Sequence, residues 1–289
     1  MKKPTFQTNR FLKEFSTFAI GGPCQLFTCC YTEEEMRAAL LYSYETHTPF
    51  LILGKGSNAI FSDKGFNGLV IQNKLEEITI EGEEVCAQSG YRFSHLGAKT
   101  ARSSLSGLEF ACGIPATVGG AIYMNAGANG YETQDVLKEV VFLDERGNRE
   151  TFSKQDLCFS YRYSSFQDMK GVIVSARFLL KKDDNARYLK QAILEKRKKT
   201  QPLSEKSAGC IFKNPSKKMA ASYLIDRCGL KGRRKGDAEV SSLHANFIIN
   251  KGSATAKDVF DLIEHVKEEV FCQTQILLET EVRYIHHEP

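Results

Sequence analysis

No stretch of this chain approaches the ~18 uninterrupted apolar residues of a membrane span, so no membrane segment is expected. The opening MKKPTFQTNRFLKEF begins on lysines but lacks the apolar core of a signal peptide, and a cytoplasmic protein is expected. Nine cysteines form no CxxC pair, and an odd number without a leader points to reduced thiols rather than a disulfide framework. His286 and His287 are the only close histidines and there is no HExxH, so no metal site is expected. A large excess of one charge sign is also missing. The formal net charge is +4, and basic residues are dispersed except at Lys196–Lys199 and Lys231–Lys235. Neither run is interleaved with aromatics, which disfavours a nucleic-acid partner and suits small anionic ligands. Internal repeats and low-complexity tracts are missing too.

What is present describes an ordinary globular chain. Its 289 residues, 42% hydrophobic and 26% charged, suffice for two domains or three small ones. Thr32-Glu33-Glu34-Glu35 is a capping-box pattern followed by Met36, Ala39 and Leu40 at helical spacing. The apolar run Pro49–Leu53 reads as a buried strand ending at Gly54, with further strands at 69–72, 78–80, 140–143 and 172–180. Residues 188–199 read as a charged amphipathic helix, and 219–228 as a helix stopped by Gly229. Phe247–Asn250 is a short strand; Val259, Leu262, Ile263, Val266 and Val270 form one helical stripe; residues 276–285 close the chain as a strand. The class is α+β, with domains expected at 1–72, 73–190 and 191–289.

The segment richest in chemistry is Ala111–Gly130, ACGIPATVGGAIYMNAGANG, with five glycines and no charged side chain. Glycine lets backbone approach a ligand closely, and loops of free amides form anion-binding nests. A backbone cradle for a large phosphorylated cofactor is expected, since Ile114, Val118, Ile122, Tyr123 and Met124 suit burial better than a linker. Gly54-Lys55-Gly56-Ser57-Asn58-Ala59 nominally fits the dinucleotide fingerprint GxGxxA. The turn residues Ser62-Asp63-Lys64-Gly65 and Asn67-Gly68 leave no room for the helix that a Rossmann site requires, so a strand–loop–strand phosphate nest is expected instead.

Three further segments are ambiguous by residue chemistry. Ser207–Pro215 carries Cys210, Lys213 and Asn214, and reads equally as a buried turn or a ligand-facing loop. Ser160-Tyr161-Arg162-Tyr163-Ser164 offers either a surface arginine or a carboxylate clamp, with the surface reading favoured. Glu279, Glu281 and Arg283 share one face of the terminal strand, by default a solvated one.

In this order, together with Thr17-Phe18-Ala19-Ile20-Gly21-Gly22 and Asn125-Ala126-Gly127-Ala128, these motifs resemble the UDP-N-acetylenolpyruvoylglucosamine reductase family from about Phe15 to Ile285. The compact chain is similar to the family's type II form, which lacks an inserted tyrosine loop. The resemblance implies a two-part FAD-binding region of the vanillyl-alcohol-oxidase/PCMH type followed by a C-terminal α+β substrate domain. It implies non-covalent FAD held by Leu53, Gly54, Lys55, Gly56, Ser57, Asn58, Gly113, Ile114, Pro115, Ala116, Thr117, Val118, Gly119 and Gly120. NADPH would be the co-substrate, and an enolpyruvyl nucleotide sugar would be reduced for peptidoglycan precursor synthesis, with no obligate protein partner. Arg162 would face the substrate carboxylate and Glu281 would act on it as an acid, with Glu279 a fallback. Cys210 would donate a proton where many members carry serine, though cysteine also occurs there. Tyr161, Lys213, Asn214 and Asn246 would bind substrate. Lys231–Lys235 is either an anion attractor or a solvated loop, and His244 is read as structural. Another FAD-dependent oxidase or dehydrogenase, or a non-catalytic nucleotide-binding module, is the competing reading.

Overall fold

The capping box at Thr32 forms as expected. In the computed structural model, which describes residues 4–288, the Thr32 hydroxyl accepts the Glu35 N–H at 3.2 Å and the Glu35 carboxylate accepts the Thr32 N–H at 3.3 Å. Such a cap is worth about 1 kcal/mol. It opens helix Glu33–Glu45 (α1), which buries Met36, Ala39 and Leu40. Strand Phe50–Leu53 follows and pairs in parallel with Leu69–Gln72, within a sheet ordered Gln7–Phe11, Pro23–Cys30, Phe66–Asn73, Phe50–Leu53.

The chain divides into two units, the first comprising 4–8, 26–54 and 68–196, the second 9–25, 55–67 and 197–288. At the centre of the first is a five-stranded antiparallel sheet ordered Arg149–Ser153, Leu137–Asp144, Gly171–Leu179, Glu84–Gln88, Ile78–Glu81. Successive strand side chains point to opposite faces. Val140 and Phe142 therefore enter one core, with Ile173, Ala176 and Phe178, while Val141 and Leu143 enter another, with Val172 and Val174. The first core is covered by helices Phe93–Arg102 (α2) and Val118–Tyr123 (α3), the second by α1. Burial on both faces is why these strands read as nearly unbroken apolar runs. Helix Ala186–Thr200 (α4) lies where the charged amphipathic pattern placed it.

The second unit is built on a four-stranded sheet ordered Ser207–Cys210, Phe247–Asn250, Ala238–Val240, Arg234–Lys235, with helices Ala221–Arg227 (α5) and Ala256–Thr274 (α6). The predicted α6 stripe of Val259, Leu262, Ile263, Val266 and Val270 is buried throughout. The Asp63 carboxylate accepts the N–H groups of Ala256 and Lys257 at 2.8 and 3.2 Å, fixing the start of α6 to the 55–67 segment. Two expectations need correction. Met219 belongs to a turn, its N–H bonded to Ser216, so α5 starts two residues later than expected. Only Arg283–Ile285 of the expected 276–285 strand is a strand, parallel to Ala59–Phe61. Residues 279–281 instead bond with the irregular segment 211–213 through a single Phe212–Thr280 bridge, which breaks the ladder.

Candidate functional site

Two of the glycine segments meet inside the first unit. A Cβ placed on Gly54 would stand 2.6 Å from the Thr117 hydroxyl oxygen, so only glycine permits this approach. Thr117 caps α3 by accepting the Gly120 N–H at 3.3 Å. The amides of Val118 and Gly119 donate to Tyr91 and Ser89 carbonyls at 2.9 and 2.8 Å, and that of Ile114 to Ala111 at 3.0 Å. Gly119 packs so tightly on Ser89 that a Cβ would lie 2.9 Å from its Cβ, whereas the face of Gly120 is open beyond Thr117. Gly113 turns the chain with φ +85°. Val118 and Thr117 are buried, Ile114 and Ala116 half-buried, and Pro115 exposed. These residues fit a flavin dinucleotide: side chains are withdrawn, the walls are apolar, and no carboxylate in 111–130 opposes a phosphate.

Lys55 to Asn58 fall in the second unit, where no helix follows them and Ala59–Phe61 is a strand. Thr17 organises this loop. Its N–H donates to Gly56 at 3.2 Å, its hydroxyl donates to Ser207 at 2.7 Å, and its carbonyl accepts the Ser207 N–H at 3.1 Å. Gly56, with φ +60°, passes against the Phe15 carbonyl where no side chain fits. Leu53 is buried at the end of its strand, and Ser57 and Asn58 are half-buried. The Asn58 carboxamide donates to the Glu281 backbone carbonyl at 3.2 Å, and the Asn58 backbone carbonyl accepts the Arg283 N–H at 3.1 Å.

The same unit gathers the residues expected around the proton donor. Cys210 ends its strand opposite Phe247, after a register shift at Gly209, which has φ +78°. The Glu281 N–H donates to the carbonyl of Ile211, the residue after Cys210, at 2.7 Å, and the Lys213 N–H to Glu279 at 2.8 Å. The two candidate acids differ. Glu279 is exposed and ion-paired with Lys213 at 2.5 Å, whereas Glu281 is half-buried. Asn246, expected to face substrate, is only 3% exposed, and its carboxamide accepts the Phe212 N–H at 2.9 Å and donates to the Phe212 carbonyl at 2.8 Å. Asn214 is exposed, and its side-chain oxygen accepts the Ala221 N–H at the start of α5 at 3.0 Å.

Arg162 stands in the first unit, on the two-residue turn Tyr161–Arg162 between the short strands Phe159–Ser160 and Tyr163–Ser164. Its φ of +61° is left-handed, a conformation costing a non-glycine residue on the order of 1 kcal/mol. Its guanidinium donates to the Gly127 carbonyl at 3.3 Å and lies over the exposed Tyr161 ring at 4.8 Å.

Sequence reasoning missed Arg197, read as part of a basic run. Among Lys196–Lys199 it alone is half-buried, because it follows Ile193 by one helical turn on the inward side of α4. Its Nε is buried without a partner among the described residues. Burial holds its guanidinium below the usual value, partly offset by the nearby Cys210 sulfur. His244 packs edge-on against Phe247 at 4.9 Å, and burial lowers its affinity for a proton, helped by Lys231 and Arg197.

A family model described as FAD binding domain matches residues 24–153, and one described as UDP-N-acetylenolpyruvoylglucosamine reductase, C-terminal domain, matches residues 201–285. The UDP-N-acetylenolpyruvoylglucosamine reductase of Protochlamydia amoebophila is 50% identical over 291 residues, covering 100% of this chain and 97% of the relative. The chain belongs to the UDP-N-acetylenolpyruvoylglucosamine reductase family. The Chlamydia muridarum reductase is 43% identical, covering 96% of this chain and 94% of that one. The crystal structure of the Thermus caldophilus reductase superposes with a TM-score of 0.84 at 34% identity, covering 97% and 99% of the two chains. The family resemblance implied by the motifs is borne out, as is an α+β fold with an FAD-binding region followed by the family's C-terminal domain.

Proposed function

We propose that Arg162, Cys210 and Glu281 share the chemistry of this enzyme. It is an FAD-dependent oxidoreductase that reduces UDP-N-acetylenolpyruvoylglucosamine to UDP-N-acetylmuramate, with NADPH as co-substrate, in peptidoglycan precursor synthesis. FAD, when bound, supplies the hydride relay from NADPH to the C3 methylene of the enolpyruvyl ether. The chain supplies orientation, charge and a proton. Arg162 faces the substrate carboxylate, and its fixed charge stabilises the enolate that develops as C3 is reduced. Glu281, as a neutral acid, hydrogen-bonds the same carboxylate. The Cys210 thiol then protonates C2, and the resulting thiolate regains its proton from solvent. Arg197 beside it favours thiolate, which cannot donate, so the role requires the partly buried setting of Cys210 to hold the thiol neutral.

The observation carrying the roles of Cys210 and Glu281 is the Glu281–Ile211 bond at 2.7 Å, which ties the half-buried carboxylate's residue to the one beside Cys210. Exposure and the Lys213 pair make Glu279 the weaker acid candidate. For the cofactor, Leu53 and Gly54 of the first unit and Lys55–Asn58 of the second are proposed contacts. In 113–120, the amides of Gly113, Ala116 and Thr117 are the proposed phosphate donors, since those of Ile114, Val118, Gly119 and Gly120 bond within the protein. Tyr161, Lys213 and Asn214 contact the nucleotide sugar, while Asn246 holds Phe212 and so frames Lys213 and Asn214. The division at residues 72 and 190 is retained for the two FAD-binding subdomains and the substrate domain. Among the described residues no helix is long and apolar enough to cross a membrane. The free thiols and the use of NADPH support a cytoplasmic setting, and the reading includes no obligate protein partner.

Anaerobic half-reactions test the assignment. Cys210→Ala is expected to accept hydride from NADPH at the wild-type rate but to slow reoxidation by the enolpyruvyl substrate by roughly 100-fold or more. Cys210→Ser is expected to retain substantial turnover. Wild-type reoxidation of the alanine variant would remove Cys210 from the mechanism.

A further inference from the structure

The turn bearing Arg162 is held by two side-chain amides that the reaction itself does not use. Gln167 Nε2 donates to the Arg162 carbonyl at 3.0 Å and to the Tyr123 carbonyl at 2.9 Å. Tyr123 is the last residue of α3, the helix whose amino end is capped by Thr117, so one amide fastens the turn to the cofactor-facing helix. The Ser164 hydroxyl donates to the same Tyr123 carbonyl at 2.8 Å. On the other side of the turn, fully buried Asn125 donates to the Ser160 carbonyl at 2.9 Å and to the Glu132 carboxylate at 2.8 Å. Backbone on both sides of the functional residue is therefore pinned to neighbouring segments.

That fastening matters because Arg162 is left-handed. A two-residue turn with positive φ at its second position is a glycine position, and an arginine there would relax if its flanking peptides were free. Relaxation would rotate the Cα–Cβ vector and swing the guanidinium away from its aim. Gln167 bonds the peptide carbonyl of Arg162 itself, the group that must turn if that residue relaxes.

We propose that Gln167 is a positioning residue for the substrate-carboxylate interaction, locking Arg162 in its left-handed conformation. The proposal rests on the reading of Arg162 as the carboxylate partner. It separates carboxylate recognition from nucleotide recognition: losing the lock weakens the first and spares the second.

The test uses flavin-loaded Gln167→Leu, which lacks the donor, and Gln167→Glu, which keeps the shape but turns a carboxylate toward two carbonyls. Binding of UDP-N-acetylmuramate and of UDP-N-acetylglucosamine, which lacks the carboxylate, is measured by calorimetry alongside thermal unfolding. Both variants are expected to bind the muramate nucleotide about 10-fold more weakly and the glucosamine nucleotide within about two-fold of wild type. Reoxidation by the enolpyruvyl substrate should slow about 10- to 100-fold while reduction by NADPH is unchanged, as expected for misplacing one charged group by about 1 Å. In an Arg162→Ala background, Gln167→Leu should add less than about two-fold. Equal losses for both nucleotides, or a full additional loss in the Arg162→Ala background, would reduce Gln167 to a structural residue and overturn the proposal. If Arg162→Ala loses the carboxylate preference and both Gln167 variants keep it, the lock fails while the reading of Arg162 stands. If Arg162→Ala keeps the preference, both fail.

Discussion

The Tyr161–Arg162 turn and the Cys210–Glu281 region hold functional groups by opposite means. In the turn, a two-residue loop exposed at Tyr161 and half-buried at Arg162 keeps its arginine in a disfavoured conformation through side-chain amides from Asn125 and Gln167. Around Cys210 the positions are set largely by backbone: Glu281 to Ile211, Lys213 to Glu279, Ile211 to Asn246, with one buried carboxamide filling both hydrogen-bonding needs of Phe212. The first design carries its proposed function in a side chain, which can be replaced without touching a core. The second shares its framework with the core that packs Ile211, Phe212 and Val282, so its geometry and its stability are one property.

Replacing Arg162 with glycine breaks that comparison most sharply. Glycine relieves the left-handed strain, so the melting temperature should hold or rise, while substrate reduction falls by about 10²–10³-fold, the usual loss for a group aimed at developing negative charge. Stopped-flow reoxidation and differential scanning calorimetry on the same preparation check both halves. A variant that is destabilised, or still fast, contradicts the contrast.

Asn246→Leu should behave in the opposite way. It strands a buried N–H and a buried carbonyl at Phe212, each costing about 1–3 kcal/mol, so a loss of about 2–5 kcal/mol is expected in urea unfolding. Stability close to wild type would mean that the framework does not depend on this carboxamide.

A smaller effect comes from His244. Burial holds its folded-state proton affinity below the ordinary 6.5, so the unfolded chain binds the extra proton first as pH falls. Its contribution is fully present above pH 6.5 and is lost as pH falls through the folded value. The melting temperature should therefore drop on acidification below pH 6.5, and His244→Gln should flatten that part of the profile.

The least disruptive test is thiol labelling. Burial pushes Cys30 up to about 12, and Cys112 up to about 11, in the first unit. Native protein at neutral pH should alkylate at exposed Cys158 and Cys272 and spare Cys24, Cys30 and Cys112, as peptide mapping would reveal. Rapid modification of Cys30 would show that its unit opens far more readily than its packing implies.

Much of the fold was legible in the residues because its signals are local. The Thr32 cap, the α6 stripe, the strands at 50–53 and 247–250, and the strand rather than helix after Gly54 each follow from spacing within one or two turns. The motifs around Gly113, Arg162 and Cys210 were equally visible as residue types in order. The terminal strand was over-read because alternation of Leu278 and Val282 with polar neighbours looks the same whether the backbone joins a ladder or an irregular loop.

By itself, then, the chain determined many of its elements, the Thr32 cap and its family, since these depend on propensity, periodicity and short motifs. Tertiary structure decided which of two glutamates is exposed and salt-bridged, that Asn246 bonds Phe212, that Arg197 is half-buried among exposed lysines, and that Gln167 fastens Arg162. Those outcomes require partners brought together by packing of elements distant in sequence, or a buried face that composition cannot distinguish from an exposed one. Hydrogen-bond complementarity and desolvation act only once those surfaces meet.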